Sequence, residues 1–147
     1  MKHSAGILAW REYNGHKEVF LVHPGGPLNA GKDEGFWGIP KGEIEFHEDT
    51  LEAAKREFTE ETSVALPDAE FIPIDPFQQS TYKTIHAFIV KFDFDTSSIV
   101  SNTFPMEWPP NSGHIQHFPE VDKCAFYDMA TARRKMLRGQ QCLLDYI

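Results

Sequence analysis

Short apolar segments of strand length, one strong hairpin signal and two amphipathic helical patterns predict a mixed α/β or α+β fold. The hairpin signal is Asn14-Gly15, set between residues 3–10 (HSAGILAW) and 18–23 (EVFLVH), which read as antiparallel strands. One helical pattern is Leu51, Ala54 and Phe58; the other is Met129, Ala132, Met136 and Leu137. A length of 147 residues suits a single domain over 1–147, and 41% hydrophobic with 24% charged residues is an ordinary globular composition.

Between these elements the chain reads as follows. Residues 24–34 form a loop rich in glycine and proline, with Lys32 its one positive charge. Glu43 and Glu45 alternate with Ile44 and Phe46, as in a short strand, and Asp49 or Thr50 caps the first helix. Residues 71–77 (FIPIDPF) and 82–93 (YKTIHAFIVKFD) are further strands, with Pro73 and Pro76 assigning the first to an edge or a bulge. Lys83, at the entry of the second of these, is a candidate phosphate contact; the alternative is a solvated lysine. His86, inside an apolar run, reads as an interior histidine with its hydrogen bonds satisfied.

Residues 95–119 form the longest irregular stretch, broken by Pro105, Pro109, Pro110 and Gly113. Phe104 and Trp108 within it are candidates for one wall of a pocket. His114 and His117 have no cysteine or third histidine to complete a zinc set and are loop residues. Asp128 caps a final amphipathic helix over 129–138, whose Arg133, Arg134, Lys135 and Arg138 make a solvated basic face. Gly139 ends it, and residues 140–147 pack as a short helix with Leu143, Leu144 and Tyr146 turned inward.

The formal charge of −8 argues against long nucleic acid, whose phosphates need a basic footprint. Cys124 and Cys142 follow no disulfide or zinc spacing and are expected as free thiols. No apolar run reaches membrane-spanning length and no targeting signal is present, so a cytoplasmic protein without a membrane partner is expected.

The chemistry concentrates in KGEIEFHEDTLEAAKREFTEETSV, residues 41–64. Glu57, Glu60 and Glu61 stand three and four apart on one helix, where like charges destabilise by about 0.2–0.5 kcal/mol per pair. A hard divalent cation, Mg²⁺ or Mn²⁺, reverses that sign because it seeks oxygen ligands. Three carboxylates on a helix are otherwise a solvated face. The wider spacing decides between these readings. Gly42, Glu48, Arg56-Glu57-Phe58, Glu60-Glu61 and Val64 resemble the box of the Nudix hydrolases: Gly, five residues, Glu, seven residues, Arg-Glu, apolar, any, Glu-Glu, any, Gly, apolar. Ser63 stands where that pattern has glycine, at a helix exit that commonly needs a left-handed residue.

The resemblance implies an α/β/α sandwich around a mixed sheet and a metal-dependent hydrolase of nucleoside diphosphates linked to another group. It implies metal ligation by Glu57, Glu60, Glu61 and the Lys41 carbonyl, close backbone approach at Gly42, and a structural Glu48–Arg56 ion pair. A further metal-binding glutamate outside the box is expected at Glu120, ahead of the strand reaching Phe126, with Glu107 as runner-up. Glu57 or Glu120 is expected to accept the proton of the attacking water. Phe36 and Trp37 are candidates to stack on a base, with buried packing expected of at least one, and Lys41 is a candidate phosphate contact. The entry Pro40-Lys41-Gly42 resembles that of dinucleoside tetraphosphate hydrolases and related nucleoside triphosphate pyrophosphohydrolases. The expected partner is therefore a small nucleotide: a nucleoside triphosphate or a dinucleoside polyphosphate. The alternatives are a non-catalytic nucleotide-binding Nudix module that regulates a partner, and an interaction domain with acidic decoration.

Overall fold

The computed structural model describes residues 1–147. β1 (Lys2–Tyr13) and β2 (His16–Pro24) form the expected hairpin, closed by the Tyr13–His16 pair. Asn14 and Gly15 both take positive φ (51° and 79°), as a two-residue turn matched to strand twist requires. β3 (Lys41–Glu43) pairs antiparallel with β1 through Gly6–Lys41, Ala5–Gly42 and Ser4–Glu43. The strand expected over 43–46 therefore ends where it was to begin. Phe46 is 90% exposed and His47 takes φ 63°, which turns the chain into α1 (Thr50–Thr62). Asp49 caps that helix by accepting from the Leu51 and Glu52 N–H groups.

β4 (Ile72–Pro73), β5 (Phe77–Ser80), β6 (Lys83–Lys91) and β9 (Val121–Asp128) complete the main sheet. Its order is β4-β6-β1-β2-β9, with β3 on β1 and β5 on β6. β1 and β6 run parallel and the other pairs antiparallel. The single strand expected over 71–77 is two short ones, because neither Pro73 nor Pro76 can donate to a ladder.

Alternation along the central strands builds two cores. Ala5, Ile7, Phe20 and Val90 pack against Ala53, Ala54 and Phe58 of α1. Leu8, Val19, Leu21 and Ile89 pack against α2 (Met129–Lys135) and a C-terminal 3₁₀ helix (Arg138–Tyr146) through Ala132, Met136, Leu143 and Leu144. The result is a mixed sheet between helical layers, an α/β/α sandwich. No helix is long and apolar enough to cross a membrane.

Residues 95–119 are more regular than expected. β7 (Thr103–Glu107) and β8 (Ile115–Pro119) form a separate antiparallel ribbon in which Phe104 faces Phe118. Pro105 fits there because a two-stranded ribbon has outward edges that need no donor. The last helix is shorter than expected. Met136 is extended (φ −72°, ψ 145°) and fully buried, and Leu137 N–H donates to the Trp37 carbonyl. That strand-like contact with Trp37 pulls the chain off the helix before Gly139. Tyr146 is 51% exposed and not turned inward. His86 is half-buried, with Nε2 3.1 Å from His3 Nδ1.

Gly139 lies inside the 3₁₀ helix, where a Cβ would overlap the Gln79 carbonyl of β5. Gly139→Ala is expected to cost about 1–3 kcal/mol, as overpacking against backbone does. The urea midpoint should fall with an unchanged m-value; an unshifted midpoint would contradict this packing.

Candidate active site

Three chain segments meet at the C-terminal half of α1. Glu57 and Glu61, one turn apart, are both nearly buried (9% and 8% exposed) and face β3. A Cβ at position 42 would overlap the Glu57 carboxylate, so glycine is needed there for the strand to pass the helix. Lys41 N–H donates to Glu61 Oε1 at 3.3 Å. The third segment is the link between β8 and β9. Glu120 N–H donates to Asn102 O (2.8 Å), and Glu120 O accepts from Gly25 N–H (2.9 Å). Carboxylate oxygens of Glu57, Glu61 and Glu120 lie within 4.8 Å of one another.

Burial dominates the electrostatics of this trio. It pushes the Glu61 carboxyl up to about 8, with Glu57 and Glu120 adding repulsion against the pull of Lys41. Glu57 is raised by burial, opposed by Arg56. Glu120 is raised by burial and then by the charge of Glu60. Crowded hard oxygen donors that resist ionisation without a cation fit Mg²⁺ or Mn²⁺ in their donor chemistry.

Glu60 stands outside the trio. Its carboxylate accepts from Arg56 Nη1 at 3.2 Å. Arg56 is the hub of the segment: Nε and Nη2 grip Glu48 at 2.7 and 2.9 Å, Nη2 reaches Glu43 O, and Nη1 reaches Glu57 at 2.8 Å. That grip, with the Glu45 N–H, holds the Glu48 carboxyl down at about 2. The Glu48–Arg56 pair thus ties the loop to the helix. Glu107 accepts from Asn111 N–H in the β7–β8 turn, leaving Glu120 as the glutamate that meets the helix pair.

A cleft of about 100 Å³ opens beside the trio. Its charged end carries Lys41, Glu61 and Glu120, and its walls include Val22, Phe36, Ile39, Leu137 and Gln140. Burial, then Lys83, pushes the Lys41 ammonium down. Lys83 itself does not line the cleft. Of the two aromatic candidates only Phe36 does, with Lys32 Nζ 5.0 Å above its ring. Trp37 is 4% exposed, edge-on to Tyr127, with its indole N–H on Asp33. It is packing, not a stacking surface. Phe104 and Trp108 belong to the β7–β8 ribbon and its turn and do not line the cleft; Phe104 lies against Gly26.

Three supports escaped the sequence reading. Gln140 is fully buried, accepting from Ile39 N–H (2.9 Å) and donating to Gln79 (2.8 Å). Its spacing with Leu143 and Leu144 was the available signal. His23 is buried between Asp122 Oδ1 (2.7 Å) and Lys32 O (2.6 Å), fastening the 24–36 loop to β9. Asn102, which holds Glu120, carried no local signal.

The NUDIX domain profile matches residues 2–144. No curated protein matches the chain in sequence. Among solved structures, the chain is similar to an Ap4A hydrolase of C. elegans in a binary complex, with TM-score 0.67 and 18% identity over 97% of this chain and 93% of that one. It is also similar to the NUDIX domain of Shewanella oneidensis NrtR complexed with ADP ribose (TM-score 0.65, 14% identity, 99% and 84% covered). A mutT/nudix family protein from Listeria innocua superposes with TM-score 0.58 at 19% identity (98% and 89% covered). At such identities the likeness is one of fold, and the profile match carries the assignment. The chain belongs to the Nudix family and is, by class, a hydrolase of acid anhydrides, a pyrophosphohydrolase.

Proposed function

We propose that the chain cleaves a phosphoanhydride in a nucleoside diphosphate linked to a further group, with a nucleoside triphosphate or dinucleoside polyphosphate as substrate. The observation that carries this reading is the meeting of Glu57, Glu61 and Glu120 beside a cleft whose charged end carries Lys41, Glu61 and Glu120 and whose other walls are largely apolar. Mg²⁺ or Mn²⁺, when bound, screens phosphate charge, orients the phosphate oxygens and lowers the pKa of a coordinated water. Glu57, Glu61 and Glu120 would hold it, with the Lys41 carbonyl and, on release from Arg56, Glu60 completing the proposed set. The Lys41 ammonium, half-buried in the cleft, meets the polyphosphate, and Lys83 adds charge behind it. Phe36 and Ile39 offer the base an apolar wall.

Either Glu57 or Glu120 would accept the water proton with a carboxylate oxygen not given to the cation, and Glu120 is the better placed of the two. Burial raises the Glu57 carboxyl, but Arg56, at 2.8 Å, offsets part of that rise and occupies one of its oxygens. The Glu120 carboxylate accepts no hydrogen bond from the protein, and burial with Glu60 raises its proton affinity. The Pro-Lys-Gly entry and the similarity to an Ap4A hydrolase support a dinucleoside polyphosphate.

Hydrolysis of a nucleotide panel with Mg²⁺ or Mn²⁺ tests the assignment. Glu61→Gln and Glu60→Gln are expected to lower kcat on the order of a hundred-fold, the scale of losing one preorganised charged contact. Turnover untouched by both changes would remove the site; tight nucleotide binding without turnover in the parent protein would favour a regulatory module.

The Glu61 shift also has a thermodynamic consequence. Its folded value of about 8 lies above the ordinary 4.5, so between these pH values the folded state keeps a proton that the unfolded state has released. Stability from this group is full below 4.5 and is lost as pH rises through about 8. The melting temperature of metal-free protein should therefore fall across that window, with a shallower fall in Glu61→Gln. Added Mg²⁺ or Mn²⁺ should stabilise more at the alkaline end, because binding requires the ionised form. A metal effect independent of pH would contradict the arrangement.

A further inference from the structure

Ser63 departs from the box pattern, and the structure gives its hydroxyl a task. The residue sits in the left-handed region (φ 62°, ψ 13°), where glycine is unstrained and serine is not. Its N–H closes the helix on Thr59 O, a bond that any residue would make. Its Oγ–H donates to the Val100 carbonyl, a bond that glycine cannot make.

Val100 belongs to a strap laid across the open end of α1. Val100 N–H donates to Thr62 O (3.2 Å) and Asn102 N–H donates to Glu60 O (2.8 Å). The strap thus satisfies two helix carbonyls that have no partner within the helix. Its other edge faces the last strand. Glu120 N–H donates to Asn102 O, and Ser101 Oγ accepts from Val121 N–H (3.0 Å) while donating to Asn102 O (2.7 Å). A continuous line of hydrogen bonds therefore runs from Ser63 through residues 100–102 to the backbone of Glu120. Glu57 and Glu61 are set by the helix, whereas Glu120 arrives from the far end of the β7–β8 ribbon and needs an independent anchor on that helix.

We infer that Ser63 is a positioning residue for Glu120: its hydroxyl fixes the strap that holds this carboxylate against those of Glu57 and Glu61. The inference rests on the proposed cation site. Supports outside a ligand set tune metal affinity by orienting the ligands, and a strap with one anchor fewer leaves Glu120 to sample wider positions.

Ser63→Gly separates this role from helix capping, because glycine relieves the backbone while deleting the hydroxyl. Mn²⁺ affinity, followed by titration calorimetry on the whole protein without nucleotide, is the readout, alongside the melting temperature of the metal-free form. Ser63→Gly is expected to melt at or above the parent temperature yet bind Mn²⁺ about three- to ten-fold more weakly, the worth of one hydrogen bond. Ser63→Asn, which tolerates the left-handed region and presents an amide N–H to Val100, should recover most of the loss. Glu120→Gln is the control. If it weakens Mn²⁺ binding while Ser63→Gly does not, the positioning role is overturned and the cation site stands. If Glu120→Gln leaves the affinity unchanged, the cation site itself is wrong and the inference goes with it. A Ser63→Asn protein as weak as Ser63→Gly would also overturn the role given to the hydroxyl.

Discussion

The guanidinium of Arg56 is the interaction on which the site is built. From one position on α1 it forks onto Glu48, reaches the Glu43 carbonyl and touches both Glu57 and Glu60. A lysine could not serve in its place, because only a planar fork with five donors meets so many acceptors in fixed directions. The distribution of that charge matters as much as its geometry. Arg56 satisfies Glu48, Glu57 and Glu60, while Glu61 and Glu120 face the cleft without a guanidinium. The acidic cluster is therefore held in shape by Arg56, while at its open side only the Lys41 ammonium, itself pushed down by burial, faces the carboxylates. That imbalance is what a metal would relieve.

The fold places apolar and charged surfaces at the same opening. β3 is only three residues long, yet its pairing with β1 brings the Gly42 backbone onto Glu57 and the Lys41 N–H onto Glu61. The segment just before it carries Phe36 and Ile39 along the cleft wall, fixed by Gln140 from the C-terminal 3₁₀ helix. His23 secures the loop leading to Phe36 against Asp122, two residues beyond Glu120. The cleft wall is thus braced to the start of β9 through His23 and to β5 through Gln140, side chains that touch no carboxylate of the trio.

Local patterns revealed those parts of the chain whose structure is local. Asn14-Gly15 announced a hairpin because its backbone preference is intrinsic, and the spacing of Leu51, Ala54 and Phe58 announced α1 because period 3.6 is a property of the helix alone. The box spacing likewise placed Glu57 and Glu61 side by side and paired Glu48 with Arg56. What stayed hidden depends on contacts far apart in sequence. Met136 leaves its helix to meet Trp37, about a hundred residues away. Proline density concealed the β7–β8 ribbon, whose free edges accept residues that a central strand would reject. Trp37 and Phe36 look equivalent in sequence, and only packing buries one and leaves the other at the cleft. Glu60 and Glu61 look equivalent too, and only the fold brings Glu61, not Glu60, together with Glu57 and Glu120.

The central claim is that the carboxylates of Glu57, Glu61 and Glu120 surround a divalent cation. Anomalous diffraction from crystals soaked in Mn²⁺ measures this most directly. The account predicts an anomalous peak within coordination distance of oxygens from all three glutamates. Fully formed crystals with no peak among them, or with Mn²⁺ bound elsewhere while the three side chains spread into solvent, would contradict it.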